Sequence, residues 1–294
     1  MNKLVPPYLY IANSLKAGYV IPFLGSGASL GERLSGEGWK DRYLPTALEL
    51  AEYLARLTEF PPDESLELTK VAQYCNLVIG RDPLYRELHT IFGQDYPMTS
   101  LHEFLAEVPT TLLIVTTNYD DLIEQAYRDK NRPFDLVVHT MVSEMAGSVL
   151  WWPHGTDAPR LVPPNELDIP LDKVNVIYKM HGGVDRQDQE RDSYVIAEDD
   201  YIDFLVRVAS KTAIPAIFAE PFQKRHFLFL GYGLRDWNLR VVLNKIEKDW
   251  PRSIVSWAIQ YQPSALEREF WSKRQVKIYD ITIEEFIQEL ERHI

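Results

Sequence analysis

Cysteine is nearly missing from this chain of 294 residues. Cys75 stands alone, which excludes an intrachain disulfide framework and any zinc site built from four cysteines. Positive charge is also short: 31 lysines and arginines face 43 aspartates and glutamates, a net charge of -12. Binding to DNA or RNA through phosphates needs a basic surface, so this balance argues against direct nucleic-acid contact. No apolar run reaches the length of a membrane span. The first residues, Met1-Asn2-Lys3-Leu4-Val5-Pro6-Pro7, lack the apolar core and small-residue cleavage site of a secretion signal. Internal repeats and low-complexity tracts are missing as well. The expectation is a soluble, cytoplasmic protein with ordinary hydrophobic content (46%) and ample material for a core.

What is present is a set of short apolar runs, each ending in a polar or glycine-rich cluster. Val20 to Leu24 runs into Gly25-Ser26-Gly27-Ala28-Ser29. Leu112 to Val115 runs into Thr116-Thr117-Asn118-Tyr119-Asp120-Asp121. Val174 to Met180 runs into His181-Gly182-Gly183, and Phe227 to Leu230 into Gly231-Tyr232-Gly233-Leu234-Arg235-Asp236. Buried strands that deliver Gly, Asn, Asp and His to their carboxyl ends describe the edge of an open α/β sheet where ligands sit. The small residues at 25–29 allow the backbone to approach a ligand and leave N–H groups free to face a phosphate. A plain strand-to-helix turn has the same composition, and Leu30 stands where a full dinucleotide fingerprint needs its third glycine.

Between the first two runs the chain reads as helical. Thr46 caps a helix through Leu57; Leu66 to Val78, Pro83 to Phe92 and Leu101 to Leu105 continue the block, a helical insertion at about 31–109. Its apolar positions read as core. Residues 133–171, with Trp151, Trp152, His154 and prolines at 153, 159, 163 and 164, read as an irregular insertion or interface. Glu198, Asp199 and Asp200 begin a helix and suit its dipole. Another helix is expected over Asp236 to Ile246, strands over Ile254 to Ile259 and Val276 to Tyr279, and a last helix from the Thr282–Glu285 capping box. The alternation predicts one α/β domain over 1–294 with a doubly wound, mostly parallel sheet.

The four clusters, in order and spacing, resemble the NAD-binding and catalytic motifs of the sirtuin superfamily. The flanking residues, such as Val115 to Glu124, Phe229 to Asp236 and Ala197-Glu198-Asp199-Asp200-Tyr201, are closer to the sirtuin-like NAD hydrolase domains of bacterial anti-phage defence. The resemblance implies a Rossmann-like fold with NAD as substrate. It places Gly25, Ser26, Gly27, Ala28 and Ser29 near the phosphates, Asn118 and Asp120 at the nicotinamide ribose, and His181 as the base. Thr117, Gly231, Tyr232 and Gly233 complete the NAD-binding set. Deacylating sirtuins carry a module with four zinc-binding cysteines; a single cysteine puts peptide deacylation in doubt, and no zinc is expected.

The chemistry agrees with these roles. Cleavage of the nicotinamide–ribose bond passes through an oxocarbenium-like state and needs a held nucleophile and a proton acceptor. Histidine suits the second task because its ordinary pKa lies near neutrality. A carboxamide such as Asn118 can orient a water or ribose hydroxyl without adding charge. The expected activity is NAD hydrolysis to nicotinamide and ADP-ribose, as an NAD-depleting defence effector. NAD-dependent deacylation and NAD or ADP-ribose sensing without turnover are the alternatives. The chain shows no obvious sensor domain; the resemblance implies a homo-oligomer with a regulatory partner such as a hexameric helicase-like ATPase.

Overall fold

The computed structural model describes residues 4–31, 33, 38–39, 42–141, 145, 147–210, 212–232, 243–244 and 254–294. The expected helix over Asp236 to Ile246, with Arg235, lies outside these residues apart from positions 243–244.

The chain begins with helix α1 (Tyr8–Lys16) and strand β1 (Val20–Leu24). Four helices follow: α2 (Ala47–Leu57), α3 (Leu68–Val78), α4 (Arg81–Phe92) and α5 (Ser100–Glu107). Then come β2 (Leu113–Thr116), α6 (Leu122–Asp129), β3 (Phe134–His139), β4 (Val149–Trp152), β5 (Arg160–Val162) and β6 (Asn175–Lys179). A two-residue pair, β7 (Gly182–Gly183) and β8 (Ser193–Tyr194), leads to α7 (Glu198–Ala209) and α8 (Ala219–Lys224). Strands β9 (His226–Leu230), β10 (Ser256–Ile259) and β11 (Val276–Tyr279) finish the sheet, with helices at Ala265–Ser272 and Ile283–Glu291.

Among the described residues nine strands form one sheet in the order β11-β10-β9-β1-β2-β6-β3-β4-β5. From β11 to β3 every pairing is parallel; β3–β4 and β4–β5 are antiparallel. The four apolar runs that carry the polar clusters are the adjacent central strands β9, β1, β2 and β6, so all four clusters leave the sheet at one edge. Strand alternation explains why both faces are covered. Phe23, Val115, Tyr178 and Phe229 enter one core with α7 and α8 residues such as Phe204 and Phe222. Leu24, Ile114, Ile177 and Leu228 enter the other, against α1, α5, α6 and the C-terminal helix. This is a Rossmann-like α/β fold, doubly wound as expected.

The helical block between β1 and β2 has its own core, in which Leu50, Leu54, Val71, Cys75 and Leu88 meet Tyr194 and Ile196 from beyond β7. Thr46 caps α2 as expected: its hydroxyl accepts from the Glu49 amide at 3.2 Å while the Glu49 carboxylate accepts from the Thr46 amide at 2.9 Å. Residues 133–171 correct the expectation of irregular structure, because β3, β4 and β5 lie within them and extend the sheet. The prolines bound the strands: Pro153 follows β4, and Pro159 and Pro163 flank β5. Trp151 is tied down by its indole N–H, which donates to Asp135 at 2.8 Å. Among the described residues no helix is long and apolar enough to cross a membrane.

Candidate active site

A cavity of about 310 Å³ opens at the carboxyl edge of β9, β1, β2 and β6. Ser26 and Ser29 line it from the turn after β1; Thr117, Asn118 and Asp120 from the turn after β2; His181 from the end of β6; and Gly231 and Tyr232 from the end of β9. Eight of the twelve expected site residues therefore meet in one space. Gly25, Gly27 and Ala28 sit in the same turn behind its wall. Gly233 lies outside the described residues. The helical block supplies the opposite wall through Leu44, Leu50, Leu68 and Phe92, so these apolar positions face the cavity as well as the core.

The turn at 25–29 differs from the open phosphate nest expected of it. The Gly25 amide donates to Leu230 O, the Gly27 amide to Gly231 O and the Ala28 amide to Gly25 O, each at 2.9 Å. Those three donors are already committed. The glycines are needed for close packing of the turn on the β9 end: a Cβ on Gly25 would lie 2.7 Å from Gly231 O, and one on Gly27 would lie 2.9 Å from Gly231 Cα. Gly231 itself has φ of +72°, and a Cβ there would meet Ala28 N at 2.1 Å.

Asn118 is pinned across this junction. Its side-chain Nδ2 donates to Gly25 O and to Ser29 Oγ, both at 3.0 Å, and its backbone N–H donates to Thr116 Oγ1 at 3.0 Å. Both amide hydrogens are thus committed, and the carboxamide oxygen is the atom left to accept from a hydroxyl or water. Asp120 accepts from the Leu122 amide at 3.1 Å and from the Ser29 hydroxyl. Burial pushes its carboxyl above the usual range, against the lowering influence of the Lys179 charge and these hydrogen bonds. Tyr232 and Thr117 are joined through their hydroxyls.

His181 is 5% exposed. Its ring packs edge-on against Tyr201 and Phe204, at centroid distances of 5.4 and 5.1 Å. Its carbonyl accepts from the Val195 amide at 3.0 Å, and the Gly182–Tyr194 strand pairing fixes the turn beyond it. Gly182 adopts φ of +77°, with Ser193 O only 2.1 Å from a would-be Cβ. Burial lowers the imidazole to about 3, so the ring is neutral at pH 7 and its nitrogens can serve as acceptor and donor.

The sequence reading missed the ion pair beneath this site. Lys179, 1% exposed on β6, donates to Glu124 Oε1 at 3.0 Å, to Tyr119 O at 3.5 Å and to Asp120 O. It therefore holds the backbone of the turn that carries Asn118 and Asp120. Gly183 has no side chain because Lys179 Cε occupies that place, 2.3 Å from a would-be Cβ. The available signal was a lysine inside an otherwise buried strand, where an unpaired charge is costly. Asp200 is structural, as expected: it accepts from the Ala197 amide at 2.9 Å and pairs with Arg81 at 2.8 Å. Among the described residues no group of histidines, cysteines or carboxylates is arranged to hold a metal ion.

The family described as "SIR2-like domain" matches residues 112–279. The chain is 28% identical over 225 residues to the NAD(+) hydrolase ThsA of Acinetobacter baumannii (strain 532279), covering 75% of this chain and 38% of that protein. It is 27% identical over 206 residues to the NAD(+) hydrolase ThsA of Bacillus cereus (strain MSX-D12), covering 69% and 37%. Over 289 residues, 95% of the chain, it is 22% identical to Defense-associated sirtuin 2 of Bacillus subtilis, a match to 25% of that protein. The chain spans less than two-fifths of the length of these relatives.

Proposed function

The chain belongs to the SIR2-like domain family, and from that premise we propose that it is an NAD(+) glycohydrolase, cleaving the nicotinamide–ribose bond to give nicotinamide and ADP-ribose. The proposal extends to a role as an NAD-depleting effector of anti-phage defence, in keeping with the names of its relatives. The observation that carries it is the convergence of Asn118, Asp120 and His181 on one cavity, walled by the turn at 25–29 and by Gly231 and Tyr232.

In this reading the C–N bond breaks with its electron pair leaving on nicotinamide, and water adds to the ribose carbon. Asn118 orients the water or a ribose hydroxyl through its free carboxamide oxygen, while Asp120 accepts from a ribose hydroxyl. His181, neutral and shielded by Tyr201 and Phe204, takes the proton that water gives up. Its low pKa makes it a weak base in the free protein, and the proton's destination matters only as the oxocarbenium-like state develops. The helical block lines one wall of the cavity with apolar side chains, and a lower-dielectric wall strengthens the polar contacts beside it. A homo-oligomer restrained by a separate partner, such as a hexameric helicase-like ATPase, belongs to the same proposal.

Incubation of the purified protein with NAD, followed by chromatography of nicotinamide and ADP-ribose, tests it. Asn118→Ala and His181→Ala should each lower NAD consumption on the order of 10²- to 10⁴-fold, with the fold retained by circular dichroism. Folded variants that bind NAD and cleave it at the wild-type rate would remove both assignments. A product that appears only with an acyl-lysine peptide would replace hydrolysis by deacylation.

A further inference from the structure

A second and larger cavity, about 670 Å³, lies on the other side of the Asn118 turn, between α6, the exposed ends of β3 and β4, and the segment after β7. It falls within the size range of small-molecule sites. The NAD-cleavage reading uses none of it.

The charges around it do not cancel evenly. Arg186 is paired with Asp95 and, at 2.8 Å, with Asp121; Arg191 is paired with Asp185 at 3.4 Å and Asp188 at 3.1 Å. Two further lining arginines are differently placed. Arg132 gives its Nη2 to the carbonyls of Val108 at 2.7 Å and Thr110 at 3.3 Å, neutral acceptors that leave its charge uncompensated. Its Nε has no hydrogen-bond partner among the described residues. Arg128, its side chain 57% exposed, lies 3.8 Å from Asp121, a carboxylate already shared with Arg186. Guanidinium groups suit a phosphate, and these two are only partly compensated, Arg128 by Asp121 and by the charge of Glu124.

The cavity also holds groups for the rest of a ligand. Trp152 and His154 line it with side chains that make no hydrogen bond or ring contact with any described residue. An indole in that state is a stacking platform for a planar ring. Glu124 lines the cavity too; Lys179 takes its Oε1, and its Oε2, buried, has no hydrogen-bond partner among the described residues. A carboxylate oxygen of this kind calls for a ligand donor, a hydroxyl or an amine.

We infer that this cavity is a binding site for a nucleoside monophosphate or a compound of that chemistry: one phosphate for Arg128 and Arg132, a planar base for Trp152, and a hydroxyl or amine for Glu124. The ligand would lean on the Glu124–Lys179 pair, the same pair that holds the backbone of the catalytic turn. Only that last connection rests on the NAD-cleavage reading; binding itself does not.

Calorimetric titration of the full chain with AMP tests the site without reference to catalysis. Saturable binding is expected, weakened about tenfold or more in Trp152→Ala and in Arg128→Ala, since one base stack or phosphate contact is typically worth that much. Both side chains are partly or largely exposed, so the variants should melt with the wild type. Asn118→Ala, altered in the other cavity, should bind AMP as the wild type does. AMP binding lost in Asn118→Ala but intact in Trp152→Ala and Arg128→Ala would assign it to the NAD cavity and overturn the inference. So would the lack of any binding at millimolar AMP.

Discussion

Lys179 shows how one side chain can carry a site that it does not touch. Its ammonium is out of water, bonded to one carboxylate oxygen and to the carbonyls of Tyr119 and Asp120. Burial raises the Glu124 carboxyl and the lysine charge opposes that rise. Removing one partner of a buried pair leaves the other charge stranded, at a cost of about 3–5 kcal/mol. Lys179→Met should lose stability of that order in urea unfolding. Lys179→Met combined with Glu124→Gln should recover part of it, because the stranded carboxylate is gone. A double variant no more stable than the single one would show that the pair is not the reason for the loss. The sequence showed a charge inside a buried strand but not what pairs with it. A lysine in a strand and a glutamate in a helix name their partner only once β6 lies beside β2.

Three buried histidines set the response to acid. Burial lowers His102 to about 4 and His139 and His181 to about 3, while the unfolded chain titrates near ~6.5. A depressed folded pKa contributes stability that is present above the unfolded value and is lost as pH falls toward the folded one. The window is therefore about pH 6.5 down to about 4 for His102 and to about 3 for His139 and His181, with a slope of up to ~1.4 kcal/mol per pH unit for each histidine. Asp120, Glu124 and Asp192, raised by burial, act in the opposite sense. The urea midpoint should drop between pH 7 and pH 5. A midpoint that holds or rises over that interval would mean that the raised carboxyls, and not these rings, dominate the response.

At the scale of elements, the parallel strands β1, β2, β6 and β9 were readable because burial on both faces leaves an unbroken apolar run with a polar stop. Strands β4 and β5 were not, because tryptophan and proline dominate their stretch and the prolines happen to punctuate it, and β3 went unread beside them. The helix Ala265–Ser272 carried the same signal as the last one, a Ser264–Glu267 capping box, and went unread among polar neighbours. The turn at 25–29 was recognised for its glycines, yet their reason lies in another element, the β9 end. That contrast can be measured with two glycines of similar φ. Gly231, at +72°, would press a Cβ into the Ala28 and Gly27 backbone, whereas Gly155, at +76°, has nothing within 4 Å among the described residues. Gly155→Ala should cost only the strain of its φ, about 1 kcal/mol. Gly231→Ala should cost several times more and weaken NAD binding as the turn is displaced. Equal melting points for the two variants would refute the packing explanation.

At the scale of the molecule, the proposed self-association has a surface to act through. The segment from Leu4 to Tyr19 leaves Leu4 64%, Val5 73%, Leu9 61%, Tyr10 55% and Tyr19 59% exposed, while Ile11, Ala12 and Leu15 of the same helix are fully buried. Large exposed apolar side chains favour contact with another surface, since burying them removes apolar area from water. Tyr10 is partly engaged already, through the ring of Trp257 at 5.7 Å, so Val5 and Leu9 are the cleaner test. Sedimentation or mass photometry should show a species larger than the 34.1 kDa monomer. Val5→Glu with Leu9→Glu should shift it toward the monomer and reduce NAD consumption. Because neither side chain is in the core, the isolated subunit should keep its melting temperature. A wild-type protein that is monomeric and fully active alone would remove self-association from the proposed function and leave NAD cleavage standing. A variant that dissociates yet keeps its full rate would show that the assembly serves something other than the active site.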